Sequence, residues 1–252
     1  MKVAAIQHDI AWADRDANFE SLQFRIEEAA AVGAKLIVLS EMFSTGFVVD
    51  RDDIGEPVGG PSSAFLSRMA QTHRITICGS CPETQADDPR PFNSLVVARP
   101  DGTFERYSKI HPFTYGGEDK HFRAGNRHVT ISVEDLRVSL FVCYDLRFAD
   151  EFWALAHDTD LYIVPANWPQ SRREHWMALL TARAIENQAY VIGCNRIGEG
   201  GNLHYVGDSR IIDPLGITIA DAGDNATTIF ADVDSSTVKS VREKFPFLQD
   251  RR

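Results

Sequence analysis

Residues 140–148, LFVCYDLRF, join an apolar run to a sudden rise in polarity, and Cys143 stands at the junction. The run Val138 to Val142 has the composition of a buried β-strand, and the residues after Arg147 lead into FWALA, a short helical stretch. A cysteine at a strand-to-helix turn lies near unpaired backbone N–H groups, which lower the pKa of a thiol and stabilise an oxyanion. Cys143 is therefore a candidate nucleophile, although a cysteine at a strand end is also a common packing residue.

The rest of the chain alternates short apolar runs with amphipathic helical stretches, which is typical of a layered α/β fold. The predicted strands are Val3 to Gln7, Leu36 to Ser40, Ile75 to Gly79, Ser94 to Ala98, Val138 to Val142, Leu161 to Pro165 and Tyr190 to Cys194. The predicted helices are Asn18 to Val32, Glu174 to Asn187 and Ser235 to Glu243. Turn signals at 101–102 and 214–216 predict hairpins, so we expect mixed sheets within one domain, residues 1–252.

Two charged residues end predicted strands and open long loops. Glu41 ends KLIVLSE before the loop 41–61, and Lys109 follows TFERYS before the loop 110–126. Long loops in compact domains are commonly functional, and a desolvated carboxylate can act as a base near neutral pH. Considered singly, each residue is interpreted more simply as a solvated charge at the end of a strand.

Taken together, the segments LIVLSEMF, YSKIHPF and FVCYDLRF resemble the three catalytic blocks of the nitrilase superfamily of carbon–nitrogen hydrolases. The likeness runs from KVAAIQHDI to REKFPFLQD. It implies a four-layer α-β-β-α sandwich that commonly dimerises, so a homodimer or a higher homo-oligomer is expected. It also implies a triad of Glu41, Lys109 and Cys143, with Glu118 in YGGEDKHFRAGN as the second glutamate of the family.

The resemblance implies a mechanism that needs no metal and no cofactor. The Cys143 thiolate attacks a carboxamide while Glu41 accepts and returns the proton, which leaves a thioester on the cysteine. Lys109 and the N–H of Tyr144 stabilise the oxyanion, and Glu118 positions Lys109 or the substrate.

Residues 165–210 look especially like the omega-amidase branch, whose substrates are 2-oxoglutaramate, 2-oxosuccinamate and similar monoamides such as succinamate. Such substrates carry a carboxylate, which the guanidinium fork of an arginine binds well. Arg172 is the candidate residue for binding this carboxylate. The alternative is that Arg172 is simply an exposed cation in a loop. Aromatic residues wall many small-molecule pockets. The expected pocket residues are Phe47, Tyr115, Tyr144, Asn167 and Trp168.

Several alternatives stay open at this point. Nitrile hydrolysis, N-carbamoyl amine hydrolysis, aliphatic amide hydrolysis and acyl transfer would use the same triad. A noncatalytic scaffold or binding protein could also keep the fold.

The composition of the chain limits the binding partners and the cellular compartment that we expect. A net charge of -10 argues against a nucleic-acid partner. The absence of a signal-like start and of an apolar run of about 18 residues argues against a membrane and favours the cytoplasm.

Other patterns carry less weight. Cys78 and Cys81 match C-x-x-C without a second pair, which we interpret as coincidence. His111, His121 and His128 lack metal-ligand spacing, and the glycines of 198–201 indicate a turn.

Overall fold

The computed structural model describes residues 1–51 and 53–251; Asp52, within the predicted loop 41–61, and Arg252 lie outside the described residues. The strands in chain order are β1 (Lys2–Gln7), β2 (Leu36–Val38), β3 (Glu56–Pro57), β4 (Thr76–Gln85), β5 (Asp88–Ala98), β6 (Phe104–Ser108), β7 (Thr130–Val133), β8 (Leu136–Leu140), β9 (Leu161–Pro165), β10 (Tyr190–Cys194), β11 (Ile197–Gly200), β12 (Leu203–Val206), β13 (Arg210–Ile212), β14 (Thr218–Asp221) and β15 (Thr227–Asp232). The α-helices are α1 (Arg15–Ala31), α2 (Pro61–His73), α3 (Glu118–His121), α4 (Ala149–Ala154), α5 (Arg173–Asn187) and α6 (Ser235–Lys244).

The strands form two large mixed sheets and one hairpin. The first sheet has the order β15-β1-β2-β4-β5-β6, with β3 paired to β4, and the second has the order β14-β13-β10-β9-β8-β7. In each sheet the central pairs are parallel and the outer pairs antiparallel. Strands β11 and β12 form a separate antiparallel hairpin.

The two sheets pack face to face between two helical layers. Along β1, Val3 and Ala5 belong to the large cluster shared by both sheets, whereas Ala4 and Ile6 pack with α1 and α2. This alternation follows from the two-residue period of a strand, and the four central positions of β1, residues 3–6, are all apolar because both faces are covered there. On the other side, Trp176 of α5 belongs to the shared cluster and covers the second sheet. The predicted four-layer sandwich is confirmed.

Most predicted elements are confirmed, with shifts at their ends. Strands β9 and β10 match their predicted bounds, and both turn signals join antiparallel neighbours, β5 with β6 and β13 with β14. The predicted strand over 138–142 instead covers Leu136–Leu140, because the chain leaves the ladder to form the turn at Cys143. The predicted loop 110–126 contains a 3-10 turn, Thr114–Gly116, and the single turn of α3.

The strand ends determine where the site lies. Glu41 follows β2, Lys109 follows β6, and Cys143 lies just beyond β8, so the first sheet supplies two of these groups and the second sheet one. Among the described residues, none of the helices has both the length and the apolar character needed to cross a membrane.

Candidate active site

The structure brings Glu41, Lys109, Glu118 and Cys143 together. The Lys109 ammonium donates to Glu41 Oε1 at 3.0 Å and to Glu118 Oε2 at 2.8 Å, and all three side chains are buried. The Cys143 thiol lies beside the Glu41 carboxylate, close enough for the carboxylate charge to act on it. These side chains therefore form one buried network, in which Glu41 bonds to the ammonium and lies next to the thiol.

The charges in this network depend on one another. Burial alone would lower the pKa of Lys109, but the carboxylates of Glu118 and Glu41 outweigh it and raise the pKa above its usual value. Burial raises the pKa of Glu118, and the nearby ammonium opposes that rise. Lys109 is consequently a fixed cation at neutral pH, held between two carboxyl groups.

The pKa of the Cys143 thiol differs from the lowered pKa that its position at a turn led us to expect. Burial first, and then the charge of Glu41, raise the pKa of the Cys143 thiol well above its usual value, and Lys109 only partly opposes this. The predicted lowering was wrong because Cys143 is only 9% exposed and the helix that it opens is a short 3-10 turn, Cys143–Arg147. The Cys143 thiol is therefore protonated at neutral pH, and the Glu41 carboxylate lies beside it.

Asn93 and Asn167 fix the Glu41 carboxylate. The Asn93 side chain donates to Glu41 Oε1 at 2.8 Å and to Glu118 Oε1 at 3.0 Å, so it bridges the two carboxyl groups. The backbone N–H of Asn167 donates to Glu41 Oε2 at 2.8 Å, and its side chain donates to the Glu41 carbonyl at 2.6 Å. Sequence reasoning proposed Asn167 for substrate binding and missed Asn93, which lies inside a strand without any local motif.

Asp145 holds the turn that contains Cys143, and sequence reasoning missed it as well. Cys143 has a φ of 45°, a left-handed conformation that is rare for a residue with a Cβ. Asp145 Oδ2 accepts from the Val142 N–H at 2.9 Å and from the Tyr107 hydroxyl at 2.8 Å, and Oδ1 accepts from the His111 N–H at 2.9 Å. One buried carboxylate thereby ties the strained turn to the end of β6, beside Lys109.

The thiol lies at a cavity of about 390 Å³, a size suited to a small organic substrate. The predicted residues that line it are Glu41, Cys143, Phe47, Tyr144, Asn167, Trp168 and Arg172. Lys109 and Glu118 lie behind this lining, although the Lys109 ammonium is 5.3 Å from the Phe47 ring centre.

Tyr115 was predicted as a pocket wall, and the structure corrects this. Its side chain is 88% exposed and lies outside the lining, because Phe113 occupies that wall and contacts the Tyr144 ring with a centroid distance of 5.0 Å. Arg147 lines the cavity and stacks over Trp168, although no sequence argument selected it. In the sequence, the signal that could have identified Arg147 is its position four residues after Cys143.

The turn between β11 and β12, predicted from glycines in 198–201, lies at the same cavity. Gly201 and Leu203 line it. Trp12 fills the space that a Cβ on Gly201 would need, at 3.0 Å. These residues add a third segment to the cavity lining, which the sequence analysis did not anticipate.

The remaining patterns have structural explanations. Cys78 belongs to the cluster between the sheets and Cys81 to the cluster under α1 and α2, so the two thiols point to opposite faces of β4. Burial raises the pKa of both thiols, and both are free. His111 and His128 both approach the Glu151 carboxylate. Within residues 1–51 and 53–251, no group of three or more His, Cys, Asp or Glu side chains could hold a metal ion.

Comparison with known proteins identifies the family of this chain. The family model described as carbon-nitrogen hydrolase matches residues 2–243. This chain belongs to that family. The hydrolase is 39% identical to the omega-amidase YafV of Escherichia coli K12 over 99% of this chain and 96% of that protein. It is 30% identical to the 2-oxoglutaramate amidase of Bacillus subtilis, over 99% and 97% of the two chains.

Solved structures give the same result. The hydrolase superposes on XC1258 from Xanthomonas campestris with a TM-score of 0.95 and 31% identity, covering 100% of this chain and 97% of that one. That structure is described as a CN-hydrolase superfamily protein with an arsenic adduct in the active site. Saccharomyces cerevisiae Nit3, of branch 10 of the nitrilase superfamily, follows with a TM-score of 0.91 and 27% identity over 100% and 96% of the two chains. The present chain is therefore a carbon–nitrogen hydrolase of the nitrilase superfamily.

Proposed function

We propose that this hydrolase is an omega-amidase, which releases ammonia from the terminal carboxamide of 2-oxoglutaramate, 2-oxosuccinamate and succinamate. The observation that carries the proposal is a thiol, a carboxylate and an ammonium in one buried network at a cavity that two arginines also line. The likeness to an omega-amidase and to a 2-oxoglutaramate amidase supports the same substrate class.

The first half of the reaction forms an acyl-enzyme. As the Cys143 sulfur attacks the amide carbon, its proton passes to Glu41, the carboxylate that lies beside the thiol. The oxyanion is stabilised by the Lys109 ammonium and by the N–H of Tyr144, at about 3 kcal/mol per donor. When the intermediate collapses, Glu41 returns the proton to the amide nitrogen, ammonia leaves, and a thioester remains on Cys143.

The second half releases the acid. Water attacks the thioester carbon while Glu41 accepts one of its protons, and the new tetrahedral intermediate expels the Cys143 thiolate. The proton held by Glu41 then returns to sulfur, which restores the resting thiol. Glu41 must reach two partners in turn, and the donors from Asn93 and Asn167 hold its carboxylate in place for both steps.

We assign the selectivity for substrates that carry a distal carboxylate to Arg147 and Arg172, the arginines that line the cavity. Arg172 stacks over Phe113, and Arg147 stacks over Trp168, so aromatic rings orient both guanidinium groups along the cavity walls. Asp50 is a further charged residue in the lining. A guanidinium binds a carboxylate through two parallel hydrogen bonds, which a neutral amide lacks. The fixed separation between the thiol and the arginines would select the chain length of the substrate.

A substrate panel tests the proposal. Ammonia release is measured for 2-oxoglutaramate, succinamate, a neutral aliphatic amide, a carbamoyl amino acid and an aliphatic nitrile. We expect the two carboxylate-bearing amides to give the highest kcat/KM, and mass spectrometry of a slow turnover to show an acyl adduct on Cys143. Cys194→Ala is the matched cysteine control, because that thiol is buried outside the cavity lining.

Two results would contradict the proposal. Faster turnover of the nitrile or of the carbamoyl compound would assign the triad to a different reaction of the same superfamily. No adduct and no ammonia from any amide would favour the noncatalytic scaffold. The homodimer also stays a prediction, which sedimentation equilibrium measures directly.

A further inference from the structure

A second cavity of about 390 Å³ lies on the far side of the first sheet from the thiol. Strands β4, β5 and β6 and the segment 123–127 line it. The Asn93 side chain reaches Glu41, and because neighbouring strand residues point to opposite faces, Ser94 points away from the active site into this second cavity. None of the residues that line the catalytic cavity lines this one.

The charged side chains in the lining are mostly arginines. Arg106, Arg123 and Arg127 face a single carboxylate, that of Glu83. Arg106 uses only its Nε for Glu83, at 2.9 Å, which leaves both terminal amino groups without a hydrogen bond inside the described chain. Arg123 pairs with Asp87 outside the cavity, at 3.0 Å, whereas Arg127 has no hydrogen bond or ion pair with the described residues. The cavity thus has more guanidinium donors than protein acceptors.

Two hydroxyl groups add neutral donors. Ser94 and Ser108 are register partners on β5 and β6, so they lie side by side on one face of the sheet. Ser94 is only 3% exposed, yet neither hydroxyl has a hydrogen bond to any part of the chain that the structure describes. Ser108 is half-buried, and both hydroxyl groups are free to donate to an acceptor inside the cavity, beside the guanidinium groups.

We propose that this cavity binds a small dianion, either a dicarboxylate or phosphate, through Arg106, Arg127 and the two serines. A dianion offers the several acceptor oxygens that these donors lack, and guanidinium groups match both carboxylate and phosphate geometry. The volume lies within the range of small-molecule sites and exceeds the need of a single water molecule. The site is separate from the proposed amidase reaction and does not depend on it.

The occupant would contact the segment that holds Lys109. The Gly125 N–H donates to the Lys109 carbonyl at 2.8 Å, and a Cβ on Gly125 would lie 2.0 Å from the Ser108 carbonyl oxygen. The segment 123–127 therefore sits directly on the end of β6, with no room for a larger residue. A dianion bound there stabilises the folded chain by mass action, so it raises the unfolding temperature.

The test must separate this cavity from the catalytic one, which also contains arginines. Binding of inorganic phosphate and of succinate is measured by titration calorimetry in the R147Q/R172Q protein, whose catalytic cavity has lost both guanidinium groups. We expect one saturable site per chain for at least one anion, and the comparison of phosphate with succinate identifies which. Addition of R127Q should weaken binding about ten-fold, as expected for one charge-assisted hydrogen bond.

Two further variants complete the design. S94A should also weaken binding, and it keeps the test valid if R127Q fails to fold. R68Q changes an exposed arginine on α2 outside both cavities and should leave the affinity unchanged. Absence of saturable binding for both anions, or the same affinity in R127Q and S94A as in their parent, would overturn the proposal.

Discussion

Asp145→Asn tests whether the turn at Cys143 depends on one buried carboxylate. The two side chains have the same shape, but an amide accepts hydrogen bonds only at its oxygen. Oδ2 of Asp145 accepts from Val142 and Tyr107, and Oδ1 accepts from the His111 N–H, so the amide nitrogen must face a donor whichever way it is placed. A buried donor without an acceptor costs about 1–3 kcal/mol, and loss of the carboxylate charge weakens the remaining bonds by about 1 kcal/mol.

These values predict a loss of about 2–4 kcal/mol in the free energy of unfolding, and a larger effect on the reaction than on substrate binding. A displacement of the sulfur by about 1 Å relative to Glu41 costs on the order of a hundred-fold in rate, so kcat should fall far more than KM changes. Urea unfolding measures the first effect, and initial rates of ammonia release measure the second. Asp232→Asn is the matched control, because the Asp232 side chain is 76% exposed.

A stability loss of this size with an unchanged kcat would show that Asp145 holds the fold and does not position the nucleophile. An unchanged stability would show that the hydrogen bonds to Asp145 contribute little. Either result would refute the reasoning, because the structure gives the same carboxylate both roles.

Three further changes give separate tests. Glu118→Gln removes one of two carboxylates that hold Lys109, so kcat should fall about a hundred-fold with KM nearly constant; a rise in KM alone would contradict this. Arg172→Ala should raise KM for succinamate and leave KM for a neutral amide unchanged. An equal loss of kcat/KM on both substrates would exclude a role for Arg172 in binding the carboxylate. Burial lowers the pKa of His8 to about 4 from its usual 6.5. As the pH falls below 6.5, His8 therefore takes up a proton in the unfolded chain before it does so in the folded one, and the folded state loses about 3 kcal/mol of stability by pH 4. Urea unfolding at pH 7 and pH 4.5 should show this loss in the parent and in H204Q, which changes an exposed histidine, but a much smaller one in H8Q.

The fold and the residues that meet at the candidate site could be predicted because their signals are local. Short apolar runs define most strands, and Glu41 and Cys143 follow such runs, whereas Lys109 follows the more polar strand β6; each residue lies within a recognisable block. Asn93 could not be found in this way, since its role depends on the pairing of β5 with its neighbours and on the approach of Glu118 from a loop.

The wrong predictions share a different cause. The pKa of the Cys143 thiol depends on burial and on the nearby Glu41 carboxylate, and neither can be measured from a turn position. Tyr115 and Phe113 are separated by one residue in the same loop, and only the path of the 3-10 turn decides which ring reaches the cavity. Tertiary geometry determined both outcomes.

The division of the candidate active site between two sheets has a consequence for how the chain acquires activity. Glu41 and Lys109 come from the first sheet, whereas Cys143 and Asn167 come from the second, and the Cys194 thiol at the end of β10 bonds to the Val38 carbonyl across the interface at 3.3 Å. Either sheet could form its hydrogen-bond ladder alone and still lack a working centre. During refolding, circular dichroism should therefore recover before catalysis, and the delay between them measures the time that the two halves need to dock.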